Sequence, residues 1–277
     1  MSLISKMKHL LHPIQGEVWC LHRVVEERSQ YPSNRELEIT PDYLEGLILK
    51  YKGEGFEFVA LDEIVKDSQR KFYGLKKHKR VNVSFDDGFR DVYDNAFPIL
   101  KKYQVPFTIY LVGNFPQGTS DMWWIQLESV VSDINAFENT IKELYQSGQN
   151  MRDAMHSMTN TGVDVGLCES MALTWEQLKE MVDSGLCTIG SHSMTHPGLT
   201  RIPLEEANKE LQESKQLIEE KLGVEVKHFS YPHSMNNDDI RLLLKSLGYE
   251  SATLGYGGKI RVKDNPYALY RQYIVQS

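Results

Sequence analysis

The chain has 277 residues, 41% of them hydrophobic and 25% charged, with a formal net charge of -7. That is ample core material for a globular protein, and the length suits one α/β barrel of roughly 250 residues. The negative balance argues against nucleic acid or an anionic membrane as the main partner, and no apolar run reaches the roughly 18 residues of a membrane-spanning helix.

In chain order, residues 1–13 carry Lys6 and Lys8 on a broken apolar segment with no small-residue cleavage site after it, so no signal peptide is read there. Cys20, Cys168 and Cys187 are an odd set without metal-type spacing. They fit a reducing compartment, and the expected address is the cytoplasm. Residues 17–23 read as a first strand with His22 near its end. Thr40-Pro41 opens a helix that stops at Gly53. A short strand at 56–59 and a short helix at 62–66 follow.

In the stretch 81–89, Val81, Val83 and Phe85 repeat with period two, as on the buried side of a strand. Asp86 and Asp87 end that strand, and Gly88 lets the backbone turn. Adjacent carboxylates at a buried strand end repel unless a cation joins them. Alone, Asp-Asp-Gly reads more readily as a solvated turn, so only a second metal-binding element can reverse that reading.

A helix is expected over 91–103, and residues 106–112 form the apolar run of a strand buried on both faces. From 114 to 171 the pattern changes, which is read as an insertion on the same domain rather than a domain of its own. Met122-Trp123-Trp124 opens two or three helices there, the tryptophans serving either as packing or as a sugar-stacking surface, and 146–170 is polar and weakly periodic.

Regular alternation then resumes. A helix over 176–183 follows Thr174, and a strand over 186–190 leads into Ser191-His192-Ser193-Met194-Thr195-His196-Pro197. The long helix between Pro203 and Gly223 has apolar positions Leu204, Ala207, Leu211, Ile218 and Leu222. A strand at 227–231, a helix at 238–247 and strands at 250–254 and 269–275 complete the chain. This alternation predicts an α/β fold, a distorted (β/α) barrel of seven or eight parallel strands with a helical insertion, one domain spanning 1–277. Its chemistry belongs at the carboxyl ends of the strands, where Asp86, Asp87, His192 and residues 231–233 fall.

His192 and His196 are four apart, so one helical turn would let both imidazoles face one point. Two imidazoles and a carboxylate make a three-ligand site for a divalent ion. Together the two elements resemble a known family. Ser84-Phe85-Asp86-Asp87-Gly88 resembles the first signature of the polysaccharide deacetylases of carbohydrate esterase family 4, the NodB-like group. Residues 191–197 resemble their second signature, and Phe229-Ser230-Tyr231-Pro232-His233 is similar to a variant of their third. The resemblance runs from about Cys20 to Tyr273, interrupted by the insertion.

That resemblance implies hydrolysis of the N-acetyl amide of an aminosugar-containing glycan or glycan precursor. Asp86 would be the general base; Asp87, His192 and His196 would bind a divalent ion, zinc foremost. Tyr231 and Pro232 would border the substrate, and the His233 backbone N–H would help hold the oxyanion. Two departures stand out: no arginine occupies the third signature to orient Asp86, and the fifth signature's Leu-x-His is missing near residues 252–256. His22 is the first candidate for the general acid, because similar chains begin with a strand ending Tyr-His-Arg-Val, and His233 is the second. Two other readings stay open: a deacylase of a small non-sugar amide, and an impaired glycan-binding relative.

Overall fold

The computed structural model describes residues 14–69 and 79–277. The reading of residues 1–13 therefore lies outside the described residues. The strands are β1 (Ile14–Leu21), β2 (Arg23–Val24), β3 (Glu38–Ile39), β4 (Glu57–Phe58), β5 (Arg80–Asp87), β6 (Phe107–Leu111), β7 (Cys187–Ser191), β8 (His228–Ser230), β9 (Ser251–Gly257), β10 (Ile260–Arg261) and β11 (Leu269–Tyr273). Seven of them, in the order β1, β5, β6, β7, β8, β9, β11 and back to β1, pair in parallel and close a ring. The barrel expected from strand–helix alternation is thus present, with seven strands. β4 adds to β5, β10 runs antiparallel to β1, and β2 and β3 form a separate pair.

Helices cover the outer face. Leu204–Leu222 begins after Pro203 and ends at Gly223, whose φ of 68° is the left-handed cap that glycine supplies. Its buried stripe is Ala207, Leu211, Ser214, Ile218 and Leu222, whereas Leu204, expected in that stripe, is half exposed. Thr174 caps Trp175–Asp183 through a reciprocal pair with Gln177. The helix expected over 91–103 opens as a π turn, Val92–Ala96, before Phe97–Lys102 continues as α-helix. Pro98 has no N–H to give the preceding turn, and the wider ring absorbs that loss.

On β5, Val81, Val83 and Phe85 pack outward in the main core. The alternate residues Asn82 and Ser84 are just as buried, as is Asp86. They face the barrel interior: Ser230 on β8, which is not a neighbour of β5, reaches Asp86. The alternating pattern on β5 therefore separates a helix-facing side from a polar barrel lumen.

Between β6 and Trp175–Asp183 the insertion forms four α-helices: Trp123–Val130, Ile134–Gln146, Met151–Thr159 and Val165–Met171. The polar stretch of 146–170 holds the last two of them, so the insertion has four helices where two or three were expected. They are stabilised by Met151, Ala154, Met155 and Cys168, which join Trp123, Trp124 and Phe137 in a second core over the barrel mouth. Hydrogen bonds tie this roof down on two sides. Asn34 Nδ2 donates to the Trp124 carbonyl (2.8 Å), and Ser33 donates to Glu138. Opposite, Arg201 donates to the carbonyls of Leu144, Tyr145 and Gln149.

Candidate active site

The strand register brings the site together. Asp87 pairs with Leu111, Leu111 with Ser191, and Ser191 with Phe229, so the signature segments end at one level. Beyond that level the backbone is contorted. Among the described residues, eight non-glycines have positive φ, and five of them (Asp87, Ser193, His196, His233 and Ser234) lie on these strand ends. Such conformations cost of order 1–3 kcal/mol each and gather at functional sites. Gly88 is obligatory: its φ is +102°, and a Cβ there would stand 2.5 Å from Leu111 Cδ1.

A helical turn does not bring His192 and His196 together, contrary to the spacing argument. Residues 192–196 are irregular, with Ser193 and His196 at φ 66° and 62°. Glu210 of the long helix pins this loop by accepting the N–H groups of Met194 and Thr195 at 2.8 Å each. The Ser193 hydroxyl accepts the His196 N–H at 3.0 Å. The two imidazoles converge because the loop is clamped.

Asp87 Oδ1 lies 3.5 Å from His192 Nε2 and 3.4 Å from His196 Nε2. Three donors about 2.1 Å from a common tetrahedral centre stand about 3.4 Å apart. His192 Nδ1 lies 2.7 Å from the Ser230 carbonyl, so it carries the proton and leaves Nε2 as a lone-pair donor. Asp87 Oδ1 is buried without a hydrogen-bond partner. Burial, and then the charge of Asp86, push the Asp87 carboxyl well above its ordinary range. Burial likewise pushes both imidazoles down. A set of donors that resist carrying protons and share an orphaned oxygen fits a divalent ion.

Asp86 has a different partner. Arg271 of β11, fully buried, donates to both of its oxygens, Nη1 to Oδ1 at 2.7 Å and Nη2 to Oδ2 at 2.6 Å. Ser230 Oγ adds a bond of 3.2 Å. Burial alone would raise this carboxyl, but the guanidinium, with His192 beside it, outweighs burial and holds Asp86 well below the usual range. The orienting arginine missing from the third signature is thus present on a different strand. Its signal in the sequence was a charge at Arg271 in phase with Leu269 and Tyr273.

A cavity of about 440 Å³ opens over this centre, lined by Asp86, Asp87, His192, His196, His22 and His233 among others. His22 lies one residue beyond β1, and burial pushes its imidazole down to about 4. His233 has Nδ1 3.0 Å from the Tyr145 hydroxyl of the insertion, and its ring packs 4.6 Å from that of His196. Tyr231 borders the cavity, but its hydroxyl donates to the Tyr267 carbonyl at 2.8 Å; Pro232 is buried and is not among the residues that line the cavity. Trp123 and Trp124 pack as expected of core residues, and they also face the cavity, Trp124 lying 4.9 Å from the His196 ring.

Residues 74–252 match the family described as polysaccharide deacetylase, well over half of the chain. The chain belongs to the polysaccharide deacetylase family. Among curated proteins it is 23% identical over 193 residues to the putative polysaccharide deacetylase YxkH of Bacillus subtilis, covering 70% of this chain and 50% of that one. It is 21% identical over 244 residues to a poly-β-1,6-N-acetyl-D-glucosamine N-deacetylase of Staphylococcus aureus, covering 84% of this chain and 66% of the relative. The chain therefore spans half to two thirds of the length of these relatives. Among solved structures, a Streptococcus pyogenes deacetylase, PplD, in complex with acetate superposes with a TM-score of 0.70 at 20% identity, covering 95% of this chain and 93% of that one. IcaB from Ammonifex degensii superposes with a TM-score of 0.68 at 21% identity, covering 95% and 92%. At these identities both show the shared fold.

Proposed function

We propose that this protein is a metal-dependent hydrolase that removes the N-acetyl group from an aminosugar glycan, with a β-1,6-linked N-acetylglucosamine chain as the first candidate substrate. The observation that carries this reading is the division of the two adjacent carboxylates. Asp87 faces the Nε2 atoms of His192 and His196, while Asp86 is held in the Arg271 fork. The staphylococcal relatives' names supply the candidate substrate.

Asp87, His192 and His196 would hold the ion. Zinc or a similar ion there would polarise the amide carbonyl and acidify a water molecule. Asp86 stays ionised at neutral pH and accepts the proton from the attacking water. Because Arg271 makes it a weak base, it needs a water already acidified, which is why the two carboxylates stand side by side. The His233 backbone N–H at the strand-end turn would help stabilise the oxyanion.

An amine anion is a poor leaving group, so the departing nitrogen needs a proton. His22 enters the cycle uncharged at neutral pH. Its ring nitrogen, the Asp86 carboxylate and Cys20 Sγ lie within 4.8 Å of one another, so His22 can take the proton that Asp86 has removed and pass it to the nitrogen. His233 is the weaker candidate, since Tyr145 already holds its Nδ1. The aromatic wall of Trp123 and Trp124 in the cavity suits the apolar face of a sugar ring, which favours a glycan over a small amide.

The test is acetate release from β-1,6- and β-1,4-linked N-acetylglucosamine oligomers, beside a small N-acetyl amide. Release from the β-1,6 oligomer above the others is the expected result. Turnover of the small amide alone would overturn the glycan assignment.

A further inference from the structure

Cys20, His22 and Asp86 are a second donor set at the mouth of the barrel, separate from Asp87, His192 and His196. Cys20 and His22 are two apart in the chain, so an extended backbone sends both side chains the same way. There they meet Asp86 from β5, with Cys20 Sγ 3.9 Å from Asp86 Oδ2. Among the described residues the His22 side chain makes no hydrogen bond, and Asp86 Oδ1 accepts only from Arg271. A carboxylate has about four lone-pair sites, so Asp86 retains one for another partner. All three residues line the same cavity. Burial pushes the Cys20 thiol well up, so the ion has to displace its proton; thiolate, imidazole and carboxylate are then a zinc-type set, and the sulfur selects soft ions over magnesium or calcium.

We propose that Cys20, His22 and Asp86 form a second, weaker cation site that takes a soft divalent ion such as zinc or cadmium and shuts the enzyme off when filled. Inhibition rests on the proposed function above: an ion here engages the carboxylate that accepts the water proton and the imidazole that passes it on. Arg271, forked onto the same carboxylate, repels a cation, so this site fills only after the Asp87 site. Binding forms a metal–sulfur bond, and the Cys20 proton leaves to solvent.

The experiment uses zinc and cadmium alone on the full chain. Zinc beyond one equivalent should inhibit the wild type. In Cys20→Ala and Cys20→Ser, the zinc concentration for half-inhibition, read within each variant, should rise by about 100-fold, the upper end of what losing even an outer-shell partner costs a metal site. Independently of turnover, the second equivalent of cadmium should produce a thiolate-to-cadmium absorbance band in the wild type. The band should vanish in both Cys20 variants and persist in Cys187→Ala. A band that survives both Cys20 variants overturns the site. A band lost with zinc inhibition unchanged overturns its inhibitory role. Because the band is read without substrate, failure of the deacetylase assignment would leave this result separately legible.

Discussion

Replacing Arg271 by methionine keeps most of the stem and removes the charge that distinguishes Asp86 from Asp87. The guanidinium donates to Asp86 at 2.7 and 2.6 Å inside the barrel. Unit charges about 4 Å apart at an effective dielectric constant of about 20 attract by about 4 kcal/mol, roughly a thousandfold in the acidity of the carboxyl. Burial is already the largest single influence on Asp86, and without Arg271 it loses its main offset and pushes the carboxyl upward. A group ionised to very low pH in the native protein would then titrate towards neutrality. Since the base must be ionised, the acid limb of the kcat/KM profile should move up in pH. Breaking a buried pair also costs about 3–5 kcal/mol, so thermal unfolding must first show that the variant folds. Arg271→Lys keeps the charge but not the fork, and should fall between. A folded Arg271→Met protein whose acid limb coincides with that of the wild type would refute the reasoning, and Asp86 could not then be the base.

Asp87→Asn and His196→Ala should both lose tightly bound zinc by elemental analysis; full occupancy in either would remove that residue from the ligand set. His22→Ala should lose far more rate on an amide, by about 10²–10⁴-fold, than on an activated ester, whose leaving group needs no proton; equal losses would make His22 structural. Burial lowers His22 to about 4 and His233 to about 3, against about 6.5 in an unfolded chain. The unfolded chain thus binds more protons between those values, so this contribution to stability is whole above about pH 6.5 and is lost as pH falls through about 4 for His22 and about 3 for His233. Urea midpoints of metal-free protein should fall across that window, and a flat profile would contradict the burial of these rings.

The parts of the site legible in the sequence are those whose meaning is local. Asp86-Asp87-Gly88 and His192 to His196 announce their chemistry within a few residues, and strand–helix alternation was enough for the barrel. Arg271 was not legible, because it stands 185 residues from Asp86 and meets it only once the ring closes. The convergence of the histidines was foreseen but its cause was not: Glu210, an unremarked charge on a long helix, clamps their loop. The insertion's later helices are short and depend on Met151, Met155 and Cys168 packing beneath the tryptophans.

The most direct measurement is acetate release from N-acetylglucosamine oligomers by protein stripped of metal and then given one equivalent of zinc, beside Asp86→Asn treated alike. The account predicts no acetate from the stripped protein and full release on reloading. Asp86→Asn should bind the ion as tightly and release almost nothing. Undiminished release from the stripped protein, or from Asp86→Asn, would contradict it.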